Sequence, residues 1–247
     1  MAMDRRYAHG ALCCGDIGPL WTCRAERARA SLRRFAKQPF RGYGMGAARP
    51  LSRINAGGHW REEAPKVFRG GSFGNGGAMR AAPIGAYFAR DTLRAVHEAR
   101  LAAQITHSHV DGQAGAVAAA ASLLAAGDAH DAGELLLTVA RLLPVCATRA
   151  GIEHACDIHY ADHARAVREL GTGEGLSAQD TVPFCLWCAF HNGTDVRAAL
   201  WHTVAGLGDR DTTYAIVGGV VALSAGGVPV EWIERREPLP AAFFPRR

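Results

Sequence analysis

Apolar positions recur along this chain at the three-to-four-residue spacing of α-helices, and alternation at period two is nearly absent. The segment 91–104 reads as an amphipathic helix, with Leu93, Val96, Ala99 and Ala103 on one face. Segment 113–126 is apolar on nearly every side, which marks a helix in the middle of a bundle. The spacing predicts further helices over 132–143, 160–170, 179–190, 196–207, 212–224 and 230–236. Loops are expected where Gly, Asn and Pro cluster, at 70–77, 171–175, 192–193 and 226–227. The pattern therefore predicts an all-α fold. Residues 1–36 are patchier and poor in caps, so the organised domain is expected over 37–247.

Composition narrows the function classes. The chain has 247 residues, enough to bury a sizeable core without staples. Its longest strongly apolar stretch, 114–126, is about 13 residues against the ~20 of a membrane span, so no membrane partner is expected. The net charge of +5 comes almost wholly from arginine, scattered in pairs without an aromatic-interleaved stripe. That argues against nucleic acid and is compatible with an anionic small ligand. The seven cysteines include one CxxC, Cys185 and Cys188, in an apolar run with no second pair behind it. Two reduced core thiols are expected rather than a zinc site. With no signal peptide legible after Arg5 and Arg6, the expected compartment is the cytoplasm.

Four segments could carry chemistry. The first, 70–80, holds five glycines in the eight positions 70–77. Such a loop either makes a structural turn or brings backbone N–H groups close to a phosphate. In the second, Thr106-His107-Ser108-His109 leads into the apolar helix and could cap it, line a pocket or bind metal. The third, Gly208-Asp209-Arg210-Asp211-Thr212-Thr213, opens another apolar helix and is expected to be buried. Its oxygens suit Mg²⁺, Ca²⁺ or Mn²⁺, or else they form a plain N-cap, with Arg210 as a competing cation. The fourth holds His154, Cys156, Asp157, His159, Asp162 and His163. His159 and His163 have zinc-protease spacing, but Tyr160 stands where that motif needs Glu, so a polar helix start is expected.

Taken in chain order, these pieces resemble the ADP-ribosylglycohydrolase family. The resemblance rests on Ser72 to Arg80 with Pro83-Ile84-Gly85, and on Thr106-His107 before an Ala-rich helix. It continues through Asp180-Thr181-Val182-Pro183 with Leu186-Trp187, then Gly208 to Thr212 with Ala215 to Gly218, and Pro229 with Glu231-Trp232. It implies a single-domain orthogonal helical bundle with a Mg²⁺ pair in its cleft. The implied activity is hydrolysis of the C1″ glycosidic bond of an ADP-ribosylated protein or small ADP-ribosyl conjugate. By the same resemblance Gly71, Ser72, Phe73, Gly74, Asn75 and His107 contact the substrate, and Asp209, Asp211 and Thr212 ligate metal. Phe73 is implied near the adenine. No catalytic residue is assigned, and a monomer is expected. The acidic opening helix and Thr-Asp-Asp motif of active members have no counterpart before Ser31. The N-terminal half of the site is therefore expected to be lost, with Asp4, Asp16 and Glu26 as the alternative donors. Two functions stay open, a hydrolase and an ADP-ribose-binding relative without turnover.

Overall fold

The computed structural model describes residues 43–89, 91–125, 131–225 and 227–235. Asp4, Asp16, Glu26 and the segment 1–36 lie outside the described residues. Thirteen α-helices appear among those described, and no strand beyond one isolated bridge between Gly74 and Ser177. The chain is all-α, as its periodicity predicts.

The helices are α1 Met45–Asn55, α2 Trp60–Glu63, α3 Gly76–Met79, α4 Ala82–Tyr87 and α5 Thr92–Gln104. They continue with α6 Val110–Ala125, α7 Ala132–Arg141, α8 Ala147–Ala155, α9 His163–Leu170 and α10 Val182–Asn192. The last three are α11 Val196–Ala205, α12 Arg210–Ser224 and α13 Val230–Arg235. Aspartates start four of them: the carboxylates of Asp91, Asp131, Asp162 and Asp195 each accept from a first-turn N–H. Pro183 sits in the first turn of α10, where its missing N–H removes no helical bond.

Helix α6 is the axle of the bundle, packing against α3, α4, α5, α7, α8, α10 and α12. Its alanines at 114, 116 and 118–121 are buried, and their small side chains let neighbouring helices approach closely. The core also encloses all of α10 from Val182 to Phe190, including Trp187, whose indole N–H donates to Ile158 O at 3.0 Å. Cys185 and Cys188 are buried free thiols there, and burial pushes the Cys188 pKa up to about 12.

Two local expectations are corrected. Leu93 is 80% exposed, because α5 buries Ala95, Val96, Ala99 and Ala103, a stripe centred on the other side of the helix. Helix α9 begins at His163 rather than at 160, because the Asp162 carboxylate accepts from Arg165 N and sets the start there. His159 and His163 therefore do not share one helix.

Candidate functional site

The glycine-rich loop lies across the start of α6. At Gly112 in that helix, a Cβ would stand 2.6 Å from Ser72 O and 3.3 Å from Phe73 Cα, so only glycine lets the loop settle there. Gly71 has φ of +102° and packs so closely that a Cβ would stand 2.7 Å from His109 N. Ser72 is buried, and its Oγ accepts from Gly74 N at 3.2 Å, so the hydroxyl shapes the loop. The far end is tied to the 171–177 loop by Ala178 N to Phe73 O at 2.8 Å and Asn75 N to Leu176 O at 3.3 Å.

These ties decide which amides remain for a ligand. The N–H groups of Gly70 and Gly71 go to Pro65 O and Val67 O, and those of Gly74 and Asn75 to Ser72 Oγ and Leu176 O. The N–H groups of Ser72 and Phe73 have no partner among the described residues. The glycines at 71 and 74 thus serve through their lack of a side chain, while the available donors belong to their neighbours.

His107 lies beneath this loop. It is 4% exposed, and its Nε2 stands 3.3 Å from where Cβ atoms of Gly74 and Gly76 would be. Burial, and then the charge of Arg80, push its pKa down to about 3, so the ring is neutral. The cap of α6 is supplied by His109, whose Nδ1 accepts from Asp111 N at 3.2 Å, which leaves His107 clear of that duty. Phe73 is 39% exposed, with Phe68 and His109 at ring-centroid distances of 6.4 Å and 5.7 Å. That edge is open and aromatic.

The acidic turn meets the loop through one long-range bond. Asn75, which is buried, donates Nδ2 to Asp209 Oδ2 at 2.9 Å and to Thr181 Oγ1 at 3.1 Å. The Asp209 backbone N–H donates to Thr172 O at 3.1 Å, fixing the turn against the 171–177 loop. The Asp209 carbonyl accepts from Thr213, but its carboxylate reaches across to Asn75 rather than capping α12. The expected burial of both carboxylates is corrected. Asp211 is exposed and Asp209 half-buried, because the turn stands at the end of the apolar helix and not within its packed length. Thr212 is buried, and among the described residues its hydroxyl finds only the Met79 sulfur, at 4.0 Å. Arg210 forms no ion pair with either aspartate among the described residues.

The donor chemistry at this turn is of the kind that suits Mg²⁺. Two carboxylates and a weakly partnered hydroxyl are hard oxygens, and Mg²⁺ commonly binds through one or two carboxylates with water and substrate completing the octahedron. No cluster of three His, Cys, Asp or Glu that could hold a metal ion exists among the described residues. That finding covers the fourth segment too: His154 and Arg165 pair with Glu169, and His163 Nε2 meets His202 O at 2.8 Å.

Four residues near the site carry positive φ without being glycine: Phe68, Arg69, Leu176 and Leu207. They stand in the three loops that bound it, where such strain concentrates when surrounding contacts impose it. The sequence reading gave no role to Arg80, Thr106, Thr172 or Thr181, which hold the site together. The isolated glycine near the start of α6, at 112, was the available clue to a close backbone approach.

Comparison with known proteins identifies the family. ADP-ribosylhydrolase ARH3 of Danio rerio is 28% identical over 250 residues, covering 83% of this chain and 66% of its own length. An uncharacterised protein of Archaeoglobus fulgidus is 29% identical over 216 residues, covering 85% of this chain and 66% of its own. The chain thus spans just under two thirds of the length of these curated relatives. The ADP-ribosylglycohydrolase family profile matches residues 2–243, nearly the whole length, and the chain belongs to that family.

Proposed function

We propose that this chain binds ADP-ribose between the glycine loop and the acidic turn, and hydrolyses the C1″ bond of an ADP-ribosylated protein or small conjugate. One observation carries this: the bond from Asn75 Nδ2 to Asp209 Oδ2 joins a diphosphate-type loop to a set of hard oxygens. The Ser72 and Phe73 N–H groups are the loop donors for the diphosphate, and His107 adds a neutral imidazole beneath them. Phe73 and Phe68 offer an aromatic edge for the base. Asn75 holds one Asp209 oxygen in place and leaves Oδ1 for the cleft. A Mg²⁺ ion held by Asp209, Asp211 and Thr212 would supply Lewis-acid orientation of the ribose hydroxyls and of a water. Positive charge builds at the anomeric carbon as the acceptor departs, and nearby carboxylates favour it.

The test is release of ADP-ribose from an ADP-ribosylated protein, with and without Mg²⁺. Asp209→Ala is expected to lower Mg²⁺-dependent release at least about hundredfold, as loss of a metal ligand does. Free ADP-ribose affinity without metal should stay within about threefold, because the loop donors remain. Turnover indifferent to both EDTA and Asp209→Ala refutes the metal role. Calorimetric binding of ADP-ribose with no release identifies the second function, a binding protein without turnover. That function is favoured by the acidic turn, which offers three side-chain donors.

A further inference from the structure

We propose that Arg80 and Thr106 are positioning residues that hold His107 in the tautomer protonated at Nε2, so that the ring donates a hydrogen bond into the glycine loop. The inference rests on the ADP-ribose reading for the acceptor, an oxygen of the diphosphate ester, and on the structure alone for the tautomer.

The argument follows the protons. Arg80 can only donate, and it does so to Gly76 O at 3.1 Å, Ala102 O at 3.2 Å and Thr106 Oγ1 at 2.7 Å. Thr106 Oγ1 therefore accepts from Arg80 and must place its own hydroxyl hydrogen elsewhere. The one other group it meets among the described residues is His107 Nδ1, at 2.8 Å. Were Nδ1 the protonated nitrogen, the oxygen would receive two donors and its own hydrogen would be left unpaired. Thr106 is 3% exposed, and a buried unpaired O–H is a destabilising arrangement. Satisfying every group makes Thr106 the donor, Nδ1 the acceptor and Nε2 the proton carrier. Nε2 then has no acceptor of its own among the described residues, and the space before it is kept open by Gly74 and Gly76. Desolvation, and next the Arg80 charge, oppose a second proton on the ring, which keeps the arrangement neutral. A chain of hydrogen bonds headed by a guanidinium also polarises the last N–H, strengthening it as a donor to an anion.

Long-range ¹⁵N–¹H correlation spectra of the labelled full chain test the tautomer directly. Between about pH 5 and pH 8, where an ordinary histidine titrates, His107 should keep a protonated Nε2 and an unprotonated Nδ1. Thr106→Val should shift the ring toward the other tautomer and weaken ADP-ribose binding about tenfold, the effect of one hydrogen bond. Thr106→Ser should restore both. A wild-type ring protonated at Nδ1 overturns the proposal. So does a Thr106→Val protein with an unchanged ring signature and affinity. If the spectra show the Nε2–H form and ADP-ribose does not bind the wild type, the functional reading fails and the tautomer assignment stands.

Discussion

His107 and His163 are both imidazoles in an all-helical scaffold, yet their surroundings assign them different work. His163 opens α9, places Nε2 against His202 O and packs its ring on Phe184 and Trp187. Its neighbours behave alike: His191 Nδ1 meets Trp187 O at 2.9 Å and stacks on Tyr160, whose hydroxyl bridges Asn192 and His202. That region is a lattice of aromatic faces and helix carbonyls, and its histidines act as polar packing. His107 has one nitrogen tied by Thr106 and the other turned toward glycines. Histidine content does not separate the two regions. What lies in front of the second ring nitrogen does.

The sharpest way to break the contrast is to fill the glycine side. Gly71→Ala should destabilise by about 2–4 kcal/mol, since it adds backbone strain at positive φ to a collision with backbone. It should also abolish ADP-ribose binding, as read by denaturant melts and calorimetry. Full stability and affinity in that variant would show that the loop has slack.

The next effect is on pH dependence. The folded His107 pKa of about 3 lies below that of an unfolded histidine, near 6.5. The stability from its neutral burial is therefore complete above about pH 6.5 and is lost as pH falls toward 3. The slope is about 1.4 kcal/mol per pH unit. Urea midpoints from about pH 7 to pH 4 should fall less steeply in His107→Gln than in wild type. Burial also lowers His191 and His202, but both are less enclosed, so His202→Gln should flatten the curve less. Equal flattening by both variants would erase the distinction between the regions. The smallest effect belongs to Tyr160→Phe, which loses hydrogen bonds to Asn192 and His202 on a half-open surface. About 1 kcal/mol in thermal unfolding is expected, with ADP-ribose affinity unchanged.

Much of the bundle was legible because its signals are local. The apolar α6, α5 and α12 were read from spacing alone, with starts displaced by one to three residues, and at α5 and α9 a capping aspartate decides the start. Helices α1 to α4 and α8 were missed. Pro50 inside α1, and the four-residue lengths of α2 and α3, leave too little periodicity to read. The family resemblance pointed to the loop, His107 and the acidic turn, but not to how they connect. Arg80 and Thr106 are 26 positions apart, and Asn75 and Asp209 are 134 apart. Such pairings exist only after helices dock, and no periodicity encodes them. Even the division of labour inside the loop, with Ser72 shaping it and its amide left without a partner among the described residues, depends on contacts contributed by other segments.

The reach of the Asn75–Asp209 bond also has a kinetic meaning. A contact closing so long a loop carries a large ordering entropy and forms after the local helix pairs are in place. A nascent chain still short of α12 would already own the glycine loop and its histidine, but not the carboxylates that face them. On the proposed function, ligand recognition would report that the two distant stretches have found each other, and a molecule bound across them would act as a clasp on the finished fold.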